Sequence, residues 1–138
     1  MERSYLLLIG GLSGVVSLLA HSVVWSIAET LQPRLRVAHI ADRHLDVPDI
    51  LLHLFAGLGL GALFWISWGL AALVDVTWWQ RGLIFGGLAS VMLVTPALIA
   101  MARAQQSRSA ITWLIASRWL TTCAIAGLAC AWSWQKGI

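Results

Sequence analysis

The chain has 138 residues, the length of one domain. Hydrophobic residues make up 59% and charged residues only 11%, with a mean hydropathy of +0.82, whereas ordinary soluble domains carry about 25% charged residues. The net charge is +3, but the basic residues are scattered over loop ends and form no phosphate-binding stripe; a disordered chain, a nucleic-acid module and an ordinary soluble enzyme are excluded, and an integral membrane protein is expected.

A helix needs about 20 apolar residues to cross the hydrocarbon layer. The first such stretch covers about residues 5–28. Arg3 and the apolar run behind it imitate a signal peptide, but the run is too long for an h-region and no small-residue cleavage motif ends it, so a retained helix is expected. The longest connection, 29–49, contains Arg34, Arg36, His39, Arg43, His44 and Asp46, interleaved with Leu35, Val37, Ile40 and Leu45. That pattern suits a short helix in the headgroup region or a structured loop. Asp46 as cap, Pro48 in the first turn and Asp49 at the positive dipole end announce a second helix at about 50–74. The third is expected at about 82–102 and the fourth at about 110–134, joined by the connections 75–81 and 103–109. The expected fold is therefore all-α: a polytopic four-transmembrane-helix bundle, both termini on one side.

Aromatic residues mark the membrane edges, with Tyr5, Trp78, Trp79, Trp132 and Trp134 on the terminal side and Trp25 and Trp113 nearer the other. Trp65, Trp68 and Trp119 need another reason, such as core packing. The connections 29–49 and 103–109 hold Arg34, Arg36, Arg43, Arg103 and Arg108, against Arg3, Arg81 and Lys136 on the terminal side. This imbalance favours placing those two connections in the cytoplasm of a bacterial inner membrane. Cys123 and Cys130 lie seven apart on one apolar helix, about 10 Å along its axis, too far for a disulfide.

The two halves share a pattern. LIGGLSGVVSL in the first helix matches IFGGLASVMLV in the third, with Gly10 over Gly86, Gly11 over Gly87 and Gly14 over Ser90. Two related helical hairpins are expected. Gly10 and Gly14, Gly57 and Gly61, and Gly82 and Gly86 each place small residues on one helix face and permit close helix approach. The contacts could lie within the bundle or between copies. The segment from Trp78 to Ser90, with the preceding His-bearing, Gly-rich helix and Pro96 beyond, resembles small bacterial inner-membrane proteins of the YagU-like group over roughly residues 53–96. The resemblance implies a multi-helix inner-membrane protein. It implies no chemistry and no site residues.

Several polar residues fall at one depth, on the side of the first and third connections: His21, His53, Thr95 and Arg118, with Glu29 and Asp49 just above. An arginine at the membrane centre costs about 2.5–3.5 kcal/mol on insertion scales. At this depth Arg118 could snorkel to lipid phosphate, pair with Glu29 or Asp49, or bind an anionic substrate or a quinone headgroup. His21 could donate to a backbone carbonyl or Glu29, or join His53 as a bis-histidine haem b ligand pair. Ser17 and His21, four apart, imitate a Ser–His pair without a third member. No compact metal signature such as H-E-x-x-H occurs, and no catalytic residue stands out. Three functions follow as expectations. The first is a non-catalytic accessory or scaffold subunit of a larger inner-membrane complex, in contact with the lipid bilayer and with other membrane subunits or further copies of itself. The second is a haem b or quinone-associated redox protein. The third is a small-molecule or lipid carrier acting as a homo-oligomer.

Overall fold

The computed structural model describes residues 4–32, 47–67, 75–105 and 109–136. Its elements are α1 (Tyr5–Leu31), α2 (Val47–Ile66), α3 (Trp78–Ala89), a π-helical turn (Ser90–Val94), α4 (Thr95–Gln105) and α5 (Ser109–Lys136). The stretches Tyr5–Leu31, Val47–Ile66, Trp78–Ala100 and Thr112–Lys136 are each long and apolar enough to cross a membrane. The protein is thus a small all-α, multi-pass membrane protein built on four crossings.

The helix ends differ from expectation for local reasons. α1 runs on through Glu29, which becomes a buried helical residue. α3 starts at Trp78, four residues before the apolar run, because Thr77 and Gln80 cap it. The Thr77 backbone N–H donates to Gln80 Oε1 at 3.0 Å and its hydroxyl at 2.8 Å, a local closure that needs no apolar side chain. α2 contains Pro48 and Asp49 in its first turn, and its helix is described to Ile66. Residues 68–74 and the segment 33–46, with His39, His44 and Asp46, lie outside the described residues.

The third crossing is not one uniform helix. The backbone N–H of Thr95 bonds to Ser90 O, five residues back, and the Thr95 hydroxyl reaches the same carbonyl at 3.1 Å. The next residue, Pro96, has no N–H to continue an α-helical ladder and its ring crowds the preceding turn. A wider π turn absorbs that conflict. As a result α3 lies along α5, while α4 runs away from it.

Packing within each hairpin is backbone against backbone. A Cβ added at Gly10 would meet Gly57 O, one at Gly14 would meet His53 O, and one at Gly61 would meet Leu6 O. In the second hairpin a Cβ at Gly82 would lie 2.7 Å from Leu128 Cα, and one at Gly86 2.7 Å from Cys123 O. These distances leave no room for any side chain, so glycine is what permits the approach. The two hairpins use the same arrangement: Leu6 against Gly61 corresponds to Gly82 against Gly127, and Gly10 against Gly57 to Gly86 against Cys123.

The hairpins dock unequally. α5 packs on α1 as well as on α2 and α3. Near the terminal end the core gathers Leu6, Phe64, Phe85, Ala126 and Cys130, with Phe64 edge-on to Phe85 at 5.0 Å and to Trp134 at 6.0 Å. Cys123 and Cys130 are buried free thiols. On the opposite flank, where α4 would be the counterpart of α1 against α2, a cleft of about 420 Å³ opens between Ala56, Leu60, Leu93, Ala97 and Trp119.

Gly57→Ala and Gly86→Ala should each lower stability by about 1–3 kcal/mol, the cost of overpacking a tight contact. Gly87→Ala, where a Cβ meets open space, should be neutral or raise stability by up to about 1 kcal/mol through helix propensity. Unfolding followed by circular dichroism in detergent micelles separates the two classes.

Candidate functional site: a polar seam between α1, α2 and α5

The buried polar side chains of α1 sit on the same face as its glycines. Ser17 and His21, one turn apart, both face α5. Ser17 Oγ lies 2.8 Å from Thr122 Oγ1, and both residues are fully buried. Each hydroxyl also lies near a carbonyl of its own helix, Gly14 O at 2.7 Å and Arg118 O at 3.1 Å. One hydroxyl therefore donates across the interface while the other donates back to its backbone.

His21 Nε2 is 2.9 Å from Ser117 Oγ. The Ser117 hydroxyl donates to Leu114 O at 2.8 Å, so its oxygen accepts from the Nε2–H of His21. His21 also stacks loosely on Trp25, at 6.1 Å between ring centroids. Trp25 Nε1 donates to Glu29 Oε1 at 2.5 Å. Ser17 and His21 thus each have their own partner on α5, and they do not form a Ser–His pair.

α2 contributes His53, which is 1% exposed. Its Nδ1–H donates to Asp49 O at 2.9 Å, the back-bond open to a side chain one turn into a helix. That leaves Nε2 as the acceptor nitrogen of the neutral ring, and it is buried without a hydrogen-bond partner. The ring lies flat on Trp119 of α5, 4.7 Å between centroids at an interplanar angle of 6°. Beside it Arg118 Nη1 approaches Asp49 Oδ2 at 3.8 Å, with both side chains partly exposed.

The structure therefore brings His21, His53, Arg118 and Asp49 to one level, with Glu29 at the end of α1. Thr95 takes no part in the contacts of this seam: it is exposed at the start of α4, and its hydroxyl is engaged by Ser90 O. Depth alone could not show that the third crossing bends away from α5 beyond Ser90. Ser117 and Thr122 were missed by sequence reasoning, and Trp119, expected as core packing, is the stacking partner of His53. The available signal was that Ser117, Thr121 and Thr122 surround Arg118 in an otherwise apolar run.

As a bis-histidine haem site the arrangement fits poorly. His21 Nε2 is engaged by Ser117, one face of the His53 ring is covered by Trp119, and among the described residues no histidine lines the clefts of about 420, 680 and 700 Å³. Among the described residues no group of three or more His, Cys, Asp or Glu side chains is arranged to hold a metal. Comparison with protein-family models, curated proteins and solved structures finds no match.

A double-mutant cycle on Ser17→Ala and Thr122→Val should give a coupling of about 0.6 kcal/mol, and at most about 1.7, as for hydrogen bonds between helices in lipid. The cycle on Asp49→Asn and Arg118→Gln should give less than about 1 kcal/mol, because the pair is long and partly solvated. Thermal or denaturant unfolding in micelles measures both.

Proposed function

We propose that this protein is a non-catalytic accessory or scaffold subunit of a larger membrane assembly. The observation that carries the reading is the way its intramembrane polar groups are engaged. His21 bonds to Ser117, Ser17 to Thr122, Trp25 to Glu29, and Arg118 pairs with Asp49. Such bonds hold helices in one arrangement. The outward surface is apolar instead: Leu8, Leu12, Val16, Val23 and Val24 of α1 and Leu52, Phe55 and Ile66 of α2 are all more than half exposed. In lipid these faces are available to acyl chains or to helices of other subunits.

The same proposal places the chain in a bacterial inner membrane, with the arginine-rich connections 29–49 and 103–109 on the cytoplasmic side. The YagU-like resemblance agrees with that location.

A second reading keeps His21 and His53 as contacts to haem b or a quinone headgroup. What favours it is the buried, unpartnered Nε2 of His53. Its signature is an absorbance spectrum, visible for haem and ultraviolet for a quinone, that His21→Ala and His53→Ala each abolish. An unchanged spectrum in both variants, or no chromophore in protein purified from its native membrane, removes it.

Native mass spectrometry after mild detergent extraction tests the first reading. Co-eluting heavier membrane proteins are the expected outcome. A monodisperse, partner-free particle, from a strain whose deletion has a phenotype of its own, would overturn it.

A further inference from the structure

A second cleft, of about 680 Å³, lies between the bent third crossing and α5. It exists because the π turn carries α4 away from its neighbour. Ser90, Val94, Leu98 and Arg103 line one wall, and Trp113, Ala116 and Leu120 the other. Its volume falls within the usual range for small-molecule sites, about 300–1,000 Å³.

The cleft has a direction. Arg103 and Trp113 stand at the end where α4 finishes and α5 begins, and both are exposed. Ser90 and Leu120 stand at the deep end. From Arg103 down to Ser90 the helix descends about 20 Å at about 1.5 Å per residue. Half the hydrocarbon thickness is about 15 Å. The cleft therefore runs from the headgroup level to about the bilayer midplane, the depth of one leaflet.

Its polarity follows the same axis. Several hydroxyls along the wall are turned back on their own helices: Ser90 Oγ donates to Gly86 O at 2.8 Å, Thr95 Oγ1 to Ser90 O at 3.1 Å and Ser117 Oγ to Leu114 O at 2.8 Å. To an occupant the deep part offers aliphatic surface. Among the described residues, the single charge lining the cleft is the guanidinium of Arg103, at the mouth. An indole beside it is the side chain that favours the headgroup level.

We propose that this cleft binds one acyl chain of an anionic phospholipid, with the lipid phosphate against Arg103. An apolar channel one leaflet deep matches the chain, and the cation at its mouth matches the headgroup. Among the described residues, the cleft between α2 and α4 has no charged residue in its lining, so no described side chain there selects a headgroup. The proposal is independent of the accessory-subunit reading, since a lipid site of this kind serves any function.

The test is native mass spectrometry of the full chain in detergent, titrated separately with phosphatidylglycerol, phosphatidylcholine and inorganic phosphate. Phosphatidylglycerol should be retained in preference to phosphatidylcholine, and inorganic phosphate should not displace it. Arg103→Gln should weaken retention about fivefold, the effect of one basic residue at an anionic surface, and Arg103→Lys should restore most of it. Ala116→Phe, which fills the cleft, should reduce retention of the lipid while Arg103 is intact. Helicity and monodispersity of each variant show that it has folded. Equal retention of both lipids, an effect at Arg118→Gln instead of Arg103→Gln, or displacement by inorganic phosphate would overturn the proposal. So would a transmembrane partner protein crosslinking into the cleft through a photoreactive residue at position 116.

Discussion

In a bilayer the hydrophobic effect does not press one helix against another, because lipid tails are as apolar as leucine side chains. What remains is close contact and the few polar bonds that cross between helices. This chain obtains the contact where Gly10, Gly14, Gly57 and Gly61 let α1 and α2 touch through their backbones, and where Gly82, Gly86 and Gly127 do the same for α3 and α5. The larger part of the fold follows from those two pairings. They bring His53 beside α1 through its own carbonyl at Gly14, and so fix the level at which α2 presents its imidazole to Trp119. They also turn the aliphatic faces of α1 and α2 outward.

The polar seam and the second cleft are opposite results of one asymmetry. α1 is an unbroken helix and keeps its face on α5 from Ser17 to His21, where the hydroxyls and the imidazole find partners. The third crossing starts in the same way but meets Pro96, and its π turn directs α4 outward. There the position corresponding to Ser17 is Leu93, and the nearest serine, Ser90, bonds back to Gly86. A single imino acid thus separates a sealed interface from an open one.

Much of this was legible in the sequence, and the limits have physical causes. Four crossings, small-residue faces and free cysteines follow from periodicity and spacing, which depend on local geometry alone. The depths of His21, His53 and Arg118 follow from the rise per residue. Azimuth does not: which way a side chain points around the bundle depends on the neighbouring helix, and so Thr95 shared a depth with the seam yet faces away from it. Asp49 as the partner of Arg118, in place of Glu29, depends in the same way on the position of α2. The early start of α3 had a local signature, Thr77 three residues before Gln80. It was hidden by the tryptophans between them, which suit a membrane edge and a helix start equally well.

Two hairpins of the same build can, in principle, embrace in two ways. The first helix of either could lie on the second helix of the other. One of these dockings is realised, with Ser17 on Thr122; at the corresponding place in the other stand Leu93 and Ala56, on opposite walls of an apolar cleft. The alternative docking would leave Ser17 and Thr122 without each other and would offer no polar bond in return. Hydroxyl groups on one side of a near-symmetric chain thus act as a selector between two otherwise comparable assemblies. Their contribution to total stability is small, but their contribution to uniqueness is not: removing the hydroxyls of Ser17 and Thr122 would bring the energies of two folds closer together rather than loosen one.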